Sequence, residues 1–435
     1  MSQATNQPVF DVIVSGAGLV GASVALGLAD RGFKIALIEP TEPKHSPLPS
    51  HDERTLVLNA ASLNVLDNLN LLADDLIRVP VRHIHINRQG GFGHLHLHAR
   101  DHADLIGADT DPEAPYFGQV VVARALGQCM LDRLKNHTNI TLFCPQSLTR
   151  FIDENHRVQV TLDDGHTLQG RILVGADGNQ SPIREQLGLM IEAHDYDQRA
   201  MVFNVAAERP MPETAFERFT PHGPLALLPQ ANGRYGVVWI DQSQRADEAM
   251  GWSDDVLMAA LHDRFGPRLG AFTQPSPRAS YPLIKQHSPQ VVSGRVVLVG
   301  NAANAVHPVS AQGFNLGLRD VAGLIDALSF LTSDDEDAVA KLGELGDDRL
   351  DQALLNYQRT RADDQRATIR YTDTLARAFA HPASFVRLMG GLGLAAHAAS
   401  SSLTRRLVRA AMGFREPVAS LAKKHTARGT HHGHV

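Results

Sequence analysis

The chain has little with which to build a covalent scaffold or a membrane span. Its two cysteines in 435 residues, Cys129 and Cys144, lack metal-type spacing and cannot make a disulfide framework. That pattern points to a reducing compartment. No uninterrupted apolar run reaches the ~18 residues that a bilayer core demands. The opening MSQATNQPVF also lacks the basic and apolar regions of a secretory signal. The expectation is a cytoplasmic chain that does not cross a membrane. Basic surplus is missing too: 41 Lys and Arg against 47 Asp and Glu leave a net charge of −6, which gives no support to nucleic-acid binding. What remains is 43% hydrophobic and 20% charged, an ordinary globular balance. A chain of this length exceeds one ordinary core, so two or more domains are expected, with interleaving open.

The first forty residues organise the rest. Phe10 to Ser15 is a short apolar run rich in β-branched residues, a buried strand by pattern. Gly16-Ala17-Gly18-Leu19-Val20-Gly21 follows at once, and Ala22 to Ala29 continues as a helix packed closely on a sheet. Lys34 to Ile38 reads as a second strand, ending at Glu39. Each part has a task. Gly16 allows a tight turn, Gly18 lets the backbone approach a pyrophosphate, and Gly21 lets helix and strand meet. The helix start offers unpaired N–H groups and a positive dipole end. Glu39 stands where a carboxylate accepts from a ribose 2′-hydroxyl and disfavours a 2′-phosphate. Glycine turns also arise for packing alone, but two strands and an acid at this spacing point to an adenine dinucleotide.

Two later stretches look like parts of the same cleft. Thr167 to Val174 reads as a buried strand, after a meander that includes Ile140–Phe143 and Val158–Leu162. It runs into Gly175-Ala176-Asp177-Gly178, with Ser181 and Pro182 suited to cap and open a helix. Asp177 organises either that turn or a ligand. Farther on, Val296 to Gly300 is another buried strand running into glycine. A loop of small residues from Asn301 to Pro308 follows, and a helix opens at Gly313 with Asn315 in its first turn. Small residues let backbone lie against a flat ligand, and the helix start aims N–H groups at negative charge.

Other segments are less specific. A proline-rich loop from Pro40 to Pro49 leads to Arg54, at the mouth of a helical pattern expected from Thr55 to Leu66; the arginine is a ligand contact or a solvated charge. Arg124 and Gln128 share one face near the start of a helix expected over Ala125 to Leu134, within reach of a phosphate or ribose. Residues 81 to 98 read as a hairpin turning at Gly90-Gly91, with His83, His85, His94, His96 and His98 on one face. No acid or cysteine completes a ligand set, so no metal site is expected there. Residues 190 to 285 alternate as an antiparallel sheet, including strands at 215–220 and 223–229.

Positions 16–21, 175–178 and 300–317 together resemble the aromatic-ring hydroxylase family of FAD-dependent monooxygenases, the p-hydroxybenzoate hydroxylase-like flavoproteins. FERFTPHGPLALLP at 216–229 and LVGNAANAVHPVSAQGFNLGLRD at 298–320 are most similar to its ubiquinone-biosynthesis branch. The resemblance runs to about residue 370. It implies an α/β fold in which a Rossmann-like FAD-binding domain is interleaved with an antiparallel β-sheet substrate domain, plus C-terminal helices. The implied parts are an FAD-binding domain over 1–80, 101–188 and 286–346, a substrate-domain hairpin over 81–100, its sheet over 189–285, and a helical region over 347–435.

The implied chemistry is ring hydroxylation of a polyprenylated phenol with O₂, through a flavin hydroperoxide, on bound FAD reduced by transient NAD(P)H. Residue by residue, Glu39 would hold the adenosine ribose, while Arg54, Arg124 and Gln128 line the FAD. Asp177 would sit beneath the pyrophosphate and ribityl chain, and Pro308, Gly313 and Asn315 border the flavin. Most members carry aspartate where this chain has Asn301 and histidine where it has Asn304. Asn301 can still hydrogen-bond a ribityl hydroxyl or phosphate, without charge. His307 is a candidate base for the phenol, or a histidine that satisfies a loop carbonyl. From Asp347 an amphipathic helical tail mixes Leu350, Leu354, Tyr357, Ile369 and Leu375 with Arg359, Arg361, Arg366 and Arg370, followed by Leu388, Met389, Arg405, Arg406 and Arg409. That leaves open contact with a membrane surface, a partner complex, or self-association as a homo-oligomer. Another ring hydroxylase of the family, a flavin oxidase or dehydrogenase, and a non-catalytic flavin-binding redox subunit are the alternatives.

Overall fold

Short runs of Val, Ile, Leu and Ala that are buried on both faces form the parallel centre of the protein, as doubly covered strands do. In the computed structural model these are β1 (Val9–Ser15), β2 (Ile35–Ile38), β8 (Ile140–Phe143), β11 (Thr167–Gly175) and β19 (Val296–Leu298). Residues 9–42, 54–90, 94–106, 110–111, 113–154, 156–329, 347–380, 405, 408–414 and 417–424 are described. The ladder runs β19-β11-β1-β2-β8, all parallel, and β18 (Val292–Ser293) closes one edge antiparallel to β19. Val14 pairs with Val174 on one side and Leu37 on the other, so Ser15, Gly175 and Ile38 end level. Carboxyl ends that finish level make the crevice where open α/β sheets bind ligands. Antiparallel β9 (Leu148–Glu154) and β10 (Arg157–Leu162) extend β11; β9 has no counterpart in the sequence pattern.

A second sheet is built from β5 (His83–Arg88), β6 (His94–His98), β12 (Glu192–Ala207), β13 (Thr214–Thr220), β14 (Gly223–Pro229), β15 (Arg234–Gln242), β17 (Ala279–His287) and β20 (Asn304–Ala305). Their order is β20-β17-β12-β15-β14-β13-β5-β6, with β16 (Phe272–Thr273) beside β12. All pairings are antiparallel except β5 with β13, which run parallel. The expected histidine hairpin is therefore the edge of this larger sheet; its Gly91 lies outside the described residues. Two helices not expected within 190–285, α6 (Ser243–Met250) and α7 (Asp254–Phe265), cover one face and bury Phe203, Phe216, Tyr235 and Trp239. Residues of the other face, such as Ala215, Leu228 and Val238, turn inward.

Between the sheets lies a three-stranded ribbon of β3 (Thr55–Asn59), β7 (Gly118–Val122) and β4 (Val79–Val81). Here the structure corrects the single helix expected from Thr55 to Leu66. Leu56, Val57 and Leu58 pair with β7, and helix α2 (Ala60–Asn68) begins only after Asn59, whose side chain accepts from the Ser62 N–H at 3.0 Å. Strand pairing overrides the helical spacing of the apolar residues. Helix α1 (Leu19–Ala29) packs on the parallel sheet, beside α4 (Ala123–Asn136) and α8 (Gln312–Leu328); α3 (Ala103–Ile106) and α5 (Pro182–Gln186) are short.

The long α9 (Asp347–Ala380) lies along α8, joined by buried ion pairs: Arg319 Nε to Asp364 Oδ2 at 2.7 Å and Arg361 Nε to Asp320 Oδ1 at 2.9 Å. Arg361 is thus a core residue, not part of the basic surface face suggested by the sequence. Leu388, Met389 and Arg406 lie outside the described residues. No helix among those described is long and apolar enough to cross a membrane.

Candidate active site

The glycine turn is as tight as its spacing implies. Gly16 has φ +99°, and a Cβ there would stand 2.6 Å from the Ala176 carbonyl oxygen; at Gly21 it would stand 1.9 Å from the Gly16 oxygen. No side chain but hydrogen fits at either. Gly18 caps α1 with no side-chain hydrogen bond, so the first N–H groups of that helix face the crevice without a side-chain acceptor. Glu39 is buried against the turn. Its carboxylate accepts from the Ala17 N–H at 2.8 Å and the Thr41 N–H at 3.0 Å, tying β2 to the glycine loop.

From this turn a groove of about 400 Å³ runs between the sheets, lined by Gly18, Arg54, Gly178, Asn301, Pro308 and Gly313 among others. The Arg54 guanidinium lies 4.8 Å from the Tyr281 ring centroid, a cation–π stack that fixes it on the groove wall. At Gly178 and Gly313 no heavy atom would press on an added Cβ: the nearest to Gly313 is 3.8 Å away and Gly178 has none within 4 Å. These two glycines open the groove, whereas Gly16 and Gly21 pack it shut from below. Beside it, Asp177 accepts a long bond from the Ile183 N–H (3.4 Å), while its Oδ1 is buried without a hydrogen-bond partner. Burial pushes this carboxyl up from the usual range.

Two buried groups not assigned from the sequence hold the loops together. Arg184 donates to the Ala302 carbonyl at 2.8 Å and the Asn179 carbonyl at 2.6 Å, clamping the Asp-Gly segment to the third motif. Asp320 accepts from the Gly300 N–H at 3.2 Å as well as from Arg361 and Gln365. Neither offers a distinctive sequence signal: Arg184 is followed by Glu185 and Gln186, and Asp320 by the apolar run of its helix.

A second cavity, of about 410 Å³, opens from the groove; Val57, Leu228, Val238, Pro308 and Ala311 line both. Its other walls are mostly apolar, with Ile84, Ile86, Leu95 and Leu97 from the hairpin, Ala215 and Phe219 from β13, and Leu375, Val408 and Met412 from the C-terminal region.

The residues expected at the site divide into groups. Gly18, Arg54, Asn301, Pro308 and Gly313 are on the groove wall, and Gly16, Gly21, Glu39 and Asp177 adjoin it. Arg124 and Gln128 project from the exposed side of α4, outside that wall. The Ala123 N–H donates to the Arg54 carbonyl (2.9 Å), which places Arg124 beside Arg54, whereas the Gln128 amide is taken by Asp132 at 2.8 Å. Asn315 lines the apolar cavity as a brace: it accepts from the Asn59 N–H (3.0 Å) and donates to Val57 and Ala311 carbonyls (2.8 and 2.6 Å). That brace holds Ala311 at φ +51°, an uncommon conformation for a residue with a side chain.

His307 faces neither cavity. Its Nδ1 accepts from the Val309 N–H at 3.2 Å, its Nε2 meets Gln198 Oε1 at 3.4 Å, and burial depresses its pKa to about 4. With Nδ1 occupied and Nε2 aimed at an acceptor, the imidazole has no free lone pair for a substrate proton. On the histidine face of the hairpin His83 Nδ1 meets His98 Nδ1 at 2.8 Å and His85 Nδ1 meets the Arg268 guanidinium at 2.6 Å, and no metal-holding cluster occurs among the described residues.

The uncapped helix start, the unpartnered Asp177 oxygen and the glycines that clear the groove fit a pyrophosphate, a ribityl chain and a flat ring in sequence. The class is that of FAD-dependent flavoproteins. Residues 9–341 match the family described as FAD binding domain. Over 93% of its length the chain is 33% identical to the ubiquinone hydroxylase UbiL of Rhodospirillum rubrum, covering 90% of that protein. It is 30% identical to the 3-demethoxyubiquinol 3-hydroxylase of Escherichia coli, over 94% of this chain and all of that one. The fold is shared with p-nitrophenol 4-monooxygenase PnpA from Pseudomonas putida, with TM-score 0.71 at 18% identity, over 94% and 99% of the two chains. This chain belongs to the FAD binding domain family and is a flavoprotein monooxygenase of it.

Proposed function

We propose that the chain hydroxylates the ring of a polyprenylated phenol in ubiquinone biosynthesis, with 2-polyprenyl-6-methoxyphenol as the first substrate to test. The observation that carries this reading is the apolar cavity of about 410 Å³ that shares a wall with the flavin groove. A prenylated ring needs such a space, with the ring at the shared wall and the chain among Ile86, Leu95, Phe219 and Met412. The relatedness to a 3-demethoxyubiquinol 3-hydroxylase favours a second substrate of the same chemistry, a demethoxyquinol with the same hydroxyl and prenyl chain.

In this reading residues 1–80, 101–188 and 286–346 hold the cofactor, while 81–100 and 189–285 shape the substrate space. The start of α1 and the Gly16–Gly21 turn would bind the pyrophosphate, Glu39 the adenosine ribose, Asp177 and Asn301 the ribityl side, and Arg54 with Arg124 the outer edge. Pro308, Gly313 and the braced Ala311 would border the ring. FAD, once bound and reduced by NAD(P)H, supplies the oxygen-transfer chemistry. The protein contributes orientation of the phenol and exclusion of water by the apolar walls.

The test is consumption of NAD(P)H by the purified holoenzyme with a short-chain 2-prenyl-6-methoxyphenol under ¹⁸O₂. Labelled oxygen in the product supports the reading; bound FAD with no phenol-stimulated turnover overturns it in favour of a redox subunit. The C-terminal residues that wall the cavity also support peripheral contact with a lipid surface from which such a substrate is drawn. Flotation with anionic vesicles tests that, and a protein that stays at the bottom of the gradient overturns it.

A further inference from the structure

The cavity for the phenol carries one charged side chain among its described lining residues, Glu217. Strand alternation puts it there. Along β13, Phe216 turns outward to Phe265, with ring centroids 5.3 Å apart, and Arg218 turns outward to Asn87 and the Arg264 carbonyl. Ala215, Glu217 and Phe219 therefore face inward.

Pairing fixes the place of Glu217 along the wall. It lies opposite Ala226 of β14, and Ala226 lies opposite Val238 of β15. Val238 lines both cavity and groove, so the carboxylate stands in its cross-strand row, two strands or about 10 Å from the shared wall. A phenol ring hydrogen-bonded through its hydroxyl to the carboxylate fits within that separation and points its far edge toward the shared wall.

Glu217 has no hydrogen bond or ion pair among the described residues; burial alone acts on it and raises its pKa to about 7. Ile86 of β5, Leu95 of β6, Phe117, Ala226 and Val238 face it without charge. Tyr371 of α9 is the other titratable side chain on the cavity wall. An unpaired acid in an apolar cavity is costly to keep unless something polar enters.

We propose that Glu217 is the catalytic base of the reaction, accepting the proton of the substrate's ring hydroxyl and anchoring that edge of the ring. The inference rests on the proposed phenol hydroxylation. In the step, the phenolic O–H bond breaks, its proton forms a bond to a carboxylate oxygen, and the electron pair stays on the phenolic oxygen. That raises electron density at the ring carbons ortho and para to it, where oxygen is added. As the hydroxylated ring regains aromaticity, its C–H proton leaves to solvent and the carboxyl returns the held proton to the first oxygen. A base with pKa near the working pH suits this exchange.

The test compares wild type, Glu217→Gln and Glu217→Asp as FAD holoenzymes. In wild type kcat/KM is expected to rise with pH to a plateau above about 7. Glu217→Gln is expected to lose about 10²-fold or more in kcat and to lose that pH limb, with KM changed far less. Glu217→Asp retains the limb at reduced kcat. A readout without turnover is the colour of a bound prenylated 4-nitrophenol: wild type increases its phenolate band relative to Glu217→Gln. Wild-type kcat and an unchanged limb in Glu217→Gln overturn the proposal. A wild type that hydroxylates no phenol overturns the reaction instead, and equal nitrophenolate bands in the two proteins would then also remove the base.

Discussion

The groove beside the glycine turn is shaped mainly by backbone, by glycines that clear space and a helix start without a side-chain cap, with one carboxylate oxygen left unpaired at Asp177. The cavity next door is shaped by side chains. Ile, Leu, Val and Phe from the antiparallel sheet, the three-stranded ribbon and the C-terminal region exclude water around one acid, Glu217. The two spaces share five residues and follow different rules. The turn at Gly16 and Gly21 tolerates almost no change, because a Cβ at either position has nowhere to go. A site built of side chains can be refilled, changing what binds while the fold survives.

Substitutions that separate the two regions sharpen this contrast. The largest effect is expected for Gly21→Val, since even a Cβ there meets the Gly16 oxygen at 1.9 Å. Folded, FAD-loaded protein should be lost, as read by flavin absorbance per mole of protein and by circular dichroism. Asp320→Asn comes next and should damage both regions, because Asp320 ties Gly300 of the groove to Arg361 of α9. Removing one partner of a buried pair costs about 3–5 kcal/mol, seen as a lower urea midpoint. If Asp320→Asn unfolds like wild type, the α8–α9 network is not what supports the groove.

His307 tests acid sensitivity outside either space. Its pKa in the fold, about 4, lies below the ordinary 6.5, so folding favours the neutral ring. The stability this contributes is fully present above pH 6.5 and is lost as pH falls toward about 4. The integrated effect is on the order of 3 kcal/mol. His307→Phe should flatten the dependence of the thermal midpoint on pH over that window without moving the limb assigned to Glu217.

Smaller and more local is Ala226→Phe, which fills the cavity: KM for the prenylated phenol should rise about tenfold, a loss of about 1.4 kcal/mol in binding, at unchanged FAD content. Gly313→Ala is the converse. The protein has room for the methyl group, so the thermal midpoint of the apo form should hold while FAD binding weakens several-fold by titration. Equal effects of Ala226→Phe and Gly313→Ala on FAD and on substrate would erase the distinction between the two regions.

The groove is largely legible in the sequence because its signals are local. Strand, Gly16-x-Gly18-x-x-Gly21, helix, strand and Glu39 occupy thirty-odd consecutive residues, and each glycine has one steric reason to be there. The Asp177 and Asn301–Asn315 segments are legible for the same reason, as strand ends running into small residues. The Thr55–Asn59 strand reads as helix because Leu56, Leu58 and their neighbours fit either period, and pairing with β7 decides between them. Arg361 reads as a surface charge because nothing near it in sequence reveals Asp320, forty-one positions away.

By itself, then, the sequence determined the glycine-turn side of the groove: a chain turn that only glycine can make is specified by glycine, wherever the rest of the molecule goes. Only tertiary structure decided the cavity. Glu217 looks like one more charged residue on an alternating strand until β5, β6, β14, α9 and residues 408–412 close an apolar cavity over it. Burial is a property of the assembled surroundings, and it is burial that turns an ordinary carboxyl into an unpaired acid poised near neutral pH.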